Sequence, residues 1–141
     1  MLIDSKYRLG IDAMDAQHAR WIELIEGFRA SAEGHLCDAE GIAAARQALL
    51  GLIEYTHHHF ASEEALLHAK GYPGLDAHRR LHNKLSSDVV ALLHELDAER
   101  KHVAPLKLNL LATVWLFEHI MHDDGDYAEF LLGTGKYAAT A

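Results

Sequence analysis

Apolar residues recur along this chain at three- and four-residue intervals in four stretches, the period of helices that bury one face. The first stretch carries Trp21, Ile22, Ile25 and Phe28, with Asp12 or Asp15 placed to cap its start and Gly34 to end it. The second runs from about 38 to 70 and aligns Leu49, Leu52, Tyr55, Thr56, Leu66 and Leu67. Gly71-Tyr72-Pro73-Gly74 then stops it and turns the chain. The third, about 75 to 101, presents Leu81, Leu85, Val89, Leu92, Leu93 and Leu96, and the fourth opens on Pro105 and carries Leu108, Leu111, Ala112, Trp115 and Leu116. Short connections between long helices make neighbours antiparallel. The pattern therefore predicts an all-α fold: an antiparallel, up-down-up-down four-helix bundle with an irregular N-terminal arm over residues 1 to about 12.

Composition narrows the class. A length of 141 residues, half of them apolar, suits a single domain over 1–141 with one sizeable core. Asp and Glu outnumber Lys and Arg by 21 to 13, and the basic residues gather into no stripe. Nucleic acid and anionic membrane surfaces are therefore not expected partners. The first residues lack the apolar segment of a secretory signal, and no run of apolar residues is long enough to span a membrane. Cys37, the single cysteine, has no internal disulfide partner, which fits a reducing compartment. The expected location is the cytoplasm. Twelve histidines are unusual for a domain of this size and direct attention to metal chemistry.

Some of these histidines continue the apolar stripes rather than opposing them. Residues four apart on a helix point within about 40° of each other, so His59 with Glu63, and His78 with His82, each aim two donors at one point. His18 lies on the apolar side of the first helix and His119 on that of the fourth. The antiparallel arrangement brings these residues, together with Asp124, to one end of the bundle. Burying so many imidazoles and two carboxylates is costly unless they are partnered, and a metal is the usual partner. Five imidazoles and two carboxylates are too many for one ion and suit a pair. His119 and Asp124 pose a geometric problem, because five residues of regular helix rotate by about 140°. Both can face the site only if the helix loosens or takes a π-type turn, which Asp123, Asp124, Gly125 and Asp126 would permit.

At these positions the chain resembles the hemerythrin family, in particular its single-domain bacterial members. The matching segments are Ile11-Asp-Ala-Met-Asp-Ala-Gln-His18, His59-Phe-Ala-Ser-Glu63-Glu64, His78-Arg-Arg-Leu-His82 and Trp115-Leu-Phe-Glu-His119-Ile-Met-His-Asp-Asp124. Tyr72-Pro73 also fits, and the likeness covers residues 9 to 132. The resemblance implies a non-haem centre of two iron ions, Fe2+ or Fe3+, joined by an oxo or hydroxo bridge. It assigns His78, His82 and His119 to one iron, His18 and His59 to the other, and Glu63 and Asp124 to both. That leaves one position open on the second iron, and the implied activity is reversible binding of dioxygen for storage, delivery or sensing. Few carboxylates and no Glu-x-x-His pair among these seven residues distinguish this ligand set from the di-iron carboxylate bundles, so oxygen insertion is not expected. Ile22, Phe60, Leu67, Trp115 and Leu116 are candidates for the apolar wall of the gas pocket. Related chains often carry Met where Leu67 stands.

Plainer readings apply to the remaining features. Taken singly, any of these histidines is most simply a surface or core residue; the ordered set favours metal. Consecutive helical residues point about 100° apart, so of His57-His58-His59 only His59 shares a face with Glu63. Glu64 with His68 reads as an exposed pair, His122 as a rival ligand only on a regular helix, and His35, His94 and His102 as surface residues. Trp21, Phe28 and Trp115 read as core packing except where they border the pocket, and the Glu95-Asp97-Glu99 run as a solvated helix end. Beside the oxygen carrier, which is not an enzyme, stand three alternatives. One is a di-iron enzyme or scavenger acting on peroxide or nitric oxide, or a ferroxidase. Another is a module that reports oxygen to a separate protein partner, and the last is a site filled structurally by zinc.

Overall fold

The computed structural model describes residues 7–32, 39–97 and 118–137, and every regular element among them is helical. Helix α1 spans Asp12–Ala32, α2 Ala39–Ala69 and α3 Leu75–Asp97. A π-helical turn over His119–Asp123 leads directly into α4, Asp124–Leu132, and a short 3-10 turn follows at Gly135–Tyr137. This is the all-α bundle that the apolar periodicity predicts. Pro105, Leu108, Leu111, Ala112, Trp115 and Leu116, expected on the fourth helix, lie outside the described residues, as do His35, Cys37, Glu99 and His102. Among the described residues, no helix is long and apolar enough to cross a membrane.

Contacts fix the direction of neighbouring helices. Gln17 meets His59 and Trp21 meets Thr56, so rising numbers on α1 pair with falling numbers on α2. Arg46 meets Asp97 and Glu64 meets Arg79, so α2 and α3 also run oppositely. The main apolar cluster holds Trp21, Ile25 and Phe28 of α1, Leu49, Leu52 and Phe60 of α2, Leu85, Val89, Leu92 and Leu96 of α3, and Ile120. Each large side chain sealed there contributes roughly 1.5–3 kcal/mol relative to exposure. A smaller cluster of Met14, Leu67, Leu75 and Tyr127 closes the other side of the polar site. Leu81 departs from its expected place in the third stripe. It is 37% exposed, because it sits one helical step round from the buried His82.

Two local devices set how the helices enter this region. Asp15 accepts hydrogen bonds from the Leu9 and Gly10 amides, at 2.7 and 3.0 Å, and so ties the arm back onto the start of α1. At the end of α2, the Tyr72 amide donates to the Leu67 carbonyl and the Gly71 amide to the His68 carbonyl. Gly71 takes a left-handed φ of +69°. This is the Schellman pattern, with its usual apolar contact supplied by Tyr72 beside Leu67. It ends α2 six residues after Glu63 and starts α3 three residues before His78.

Candidate metal centre

Four helices and the π turn each bring side chains to one buried volume. His18 comes from α1, His59 and Glu63 from α2, His78 and His82 from α3, His119 from the π turn and Asp124 from the first residue of α4. All seven are at most 3% exposed. They form two overlapping donor groups: Glu63, His78, His82, His119 and Asp124 in one, and His18, His59, Glu63 and Asp124 in the other. Within each group the potential ligand atoms lie within 4.8 Å of one another. Both carboxylates are common to the two groups, which differ as three imidazoles against two.

The π turn is what admits Asp124. Its backbone amide bonds to the His119 carbonyl five residues back, in place of the four-residue step of an α-helix. The wider turn rotates Asp124 onto the face of His119, and Asp124 Oδ1 comes 3.1 Å from His119 Nε2. His122 instead points to solvent. So do His57, His58, His68 and His94.

The electrostatics of the donor set show its need for a cation. Glu63 Oε1 lies 2.7 Å from His78 Nε2 and 3.0 Å from His82 Nε2. Asp124 lies 3.0 Å from both His18 Nε2 and His78 Nε2. Burial opposes the charged imidazolium, but the adjoining carboxylates of Asp124 and Glu63 outweigh it and raise His18 and His78 to about 9. For His119, burial is likewise overcome by Asp124 and Asp123, and its value rises to about 10. His59 falls to about 4, because burial dominates there. Burial pushes Glu63 and Asp124 upward, yet the surrounding imidazoles hold both below the usual carboxylate range.

Protons do not complete this set. Both ring nitrogens of His18, Nε2 of His59 and both carboxylate oxygens of Asp124 are buried without a well-formed hydrogen bond. His82 Nε2 and His119 Nε2 face each other at 3.2 Å, where at most one proton fits between them. Unpartnered buried polar atoms are expensive, and divalent ions on nitrogen and oxygen donors would satisfy all of these except His18 Nδ1, on the far side of its ring. The residues therefore fit a two-metal centre.

A surrounding layer orients the imidazoles, and most of it escaped sequence reasoning. The Nδ1 of His59 meets Gln17 Oε1 at 2.7 Å, that of His82 meets Glu64 Oε2 at 2.8 Å, and that of His119 meets Asp123 Oδ2 at 3.0 Å. Glu64 thus serves His82 rather than pairing with His68 on the surface. The buried Tyr127 hydroxyl donates to Glu63 Oε2 at 2.8 Å, and burial beside the two carboxylates raises this phenol strongly. Of the expected wall residues, Phe60 stacks flat on His82 with ring centres 3.7 Å apart. Ile22 is partly buried against the main cluster, and Leu67 belongs to the smaller cluster. Trp21, read as core packing except where it borders the pocket, does border the site, 5.2 Å from the His59 ring, with its indole N–H donated to Thr56.

The sequence matches the family model described as the Hemerythrin HHE cation binding domain over residues 9–131. It is 33% identical over 124 residues to a bacteriohemerythrin of Stenotrophomonas maltophilia, covering 86% of this chain and 74% of that one. It is 34% identical over 123 residues to a bacteriohemerythrin of Pseudomonas aeruginosa, covering 85% and 74%. A bacteriohemerythrin of Clostridium acetobutylicum is 26% identical over 126 residues, covering 88% and 95%. With a buried cluster able to hold metal at the positions that carry the likeness, and a family match along most of its length, the chain belongs to the hemerythrin family.

Proposed function

We propose that this chain binds dioxygen reversibly at a pair of iron ions. His78, His82 and His119 would hold one ion, His18 and His59 the other, with Glu63 and Asp124 shared. The observation that carries the reading is the inequality of two donor groups built on the same two carboxylates. With equal bridges, the ion with two imidazoles is one protein ligand short of the ion with three. Two Fe(II) ions bound there would supply two electrons to dioxygen and recover them on its release.

The chain's own residues favour binding over turnover. Trp21 and Phe60 stand beside His59 as apolar walls that keep water away. The Trp21 N–H is already donated to Thr56, whose hydroxyl donates in turn to the Leu52 carbonyl. Among the described residues, the acids and bases in contact with His18 and His59 are Glu63, Asp124 and the two imidazoles themselves, all within the set of seven. The Tyr127 phenol faces Glu63 and holds that carboxylate in place. A carrier rather than an enzyme is the reading this supports, with a protein recipient of oxygen or of a signal left to be identified. Iron-loaded protein, reduced without air, should turn visibly coloured on exposure to dioxygen and bleach on its removal. A colourless, fully iron-loaded sample would overturn the proposal, and metal analysis from iron-replete cells separates iron from structural zinc.

A further inference from the structure

The imidazoles of the two donor groups are backed by different chemistry. In the three-imidazole group, His82 and His119 each turn Nδ1 toward a carboxylate, Glu64 at 2.8 Å and Asp123 at 3.0 Å. Neither carboxylate belongs to the set of seven. In the two-imidazole group, His59 turns Nδ1 toward the neutral amide oxygen of Gln17 at 2.7 Å. His18 Nδ1 is buried with no hydrogen-bond partner. A carboxylate accepting the far N–H of an imidazole makes the near nitrogen a stronger donor and fixes the ring's orientation, whereas a neutral amide mainly orients it. Two carboxylates thus stand behind one side of the centre, the charge of Glu64 being partly offset by Arg79 at 3.3 Å, and none stands behind the other.

We propose that Glu64 and Asp123 make the three-imidazole position the tight metal site, while Gln17 leaves the two-imidazole position to load last and empty first. This inference rests on the two-ion reading above. It has a functional consequence, because the loosely held ion is the one with the vacant coordination position. Gas binding would then disappear after removal of half the metal, before the fold is lost. Glu64, Asp123 and Gln17 are positioning residues that act through His82, His119 and His59.

Anaerobic titration of the metal-free full chain with Co2+, followed by visible absorbance in competition with a chelator, tests the assignment. Wild-type protein should take up two ions in two steps whose affinities differ at least about tenfold. Glu64→Gln should weaken the first step by about 10- to 100-fold and leave the second in place. Gln17→Glu should tighten the second step and leave the first unchanged, an effect that mere loss of structure would not produce. Two indistinguishable or cooperative steps in the wild type would overturn the inequality, as would both variants acting on the same step. Equal weakening of both steps by Glu64→Gln, with no effect of Gln17→Glu, would also overturn it. An end point of one ion or none would instead overturn the two-ion reading on which it rests.

Discussion

Glu63 is the residue through which most of the site is connected. It contacts His18, His59, His78 and His82 and accepts the Tyr127 hydroxyl, all within 3.5 Å. His18, by contrast, serves only the two-imidazole group. Glu63→Ala should therefore reduce iron to well under one ion per chain, whereas His18→Ala should retain about one; metal analysis of the purified variants checks this. Equal iron in the two would count against the shared role of Glu63. Spacing made six of the seven central residues legible, because each continues an apolar stripe, whereas Asp124 faces away from His119 on a regular helix. Their supports were harder to read. Gln17 meets His59 from 42 positions away and Glu64 meets His82 from 18, partnerships created by helix packing rather than by period. Asp123 was the exception: it lies four residues after His119, a spacing that could have been used.

Among the elements, the five-residue interval from His119 to Asp124 is the weakest geometric link in the sequence, because it conflicts with a regular helix. The conflict required either a loosened helix or a π-type turn, and the structure has the turn: the Asp124 amide reaches back five residues to His119. The start of the fourth helix could be anticipated from Pro105, but it falls beyond the described residues. The geometry leads to an asymmetric expectation. Deleting His122, an exposed residue, would shorten the interval to four, at which an ordinary α-helix keeps both side chains on one face. That variant should keep two metal ions per chain. Inserting one alanine after His122 lengthens the interval to six, about 240° on a regular helix, and should lose a shared carboxylate and with it at least one ion. Metal stoichiometry of the two variants is the measurement. Comparable loss from both would show that the turn is needed for more than aiming Asp124.

For the whole molecule, the arrangement trades stability of the empty protein for a preformed site. The polar cluster sits between two apolar clusters, so its charges have little access to water. Without metal, the protons on His18, His78 and His119 are what offset Glu63 and Asp124. The values of these imidazoles are raised from 6.5 to about 9, 9 and 10. Their stabilising contribution is therefore full below about 6.5 and is lost as pH climbs through 9 to 10. His59 works in the opposite direction. It is lowered to about 4, so its contribution is present above about 6.5 and is lost as pH falls toward 4. Protein stripped by chelator should consequently be most stable near pH 6.5, with a melting temperature that drops on both sides. Metal bound at these residues would replace the shared protons and stabilise the folded state that binds it, so loading should remove most of the alkaline decline. Thermal melts of stripped and loaded protein at pH 6.5 and 9.5 measure the difference directly. If the stripped protein melted at the same temperature at both values, the buried carboxylates would not depend on those protons, and charge compensation by metal would lose its physical basis.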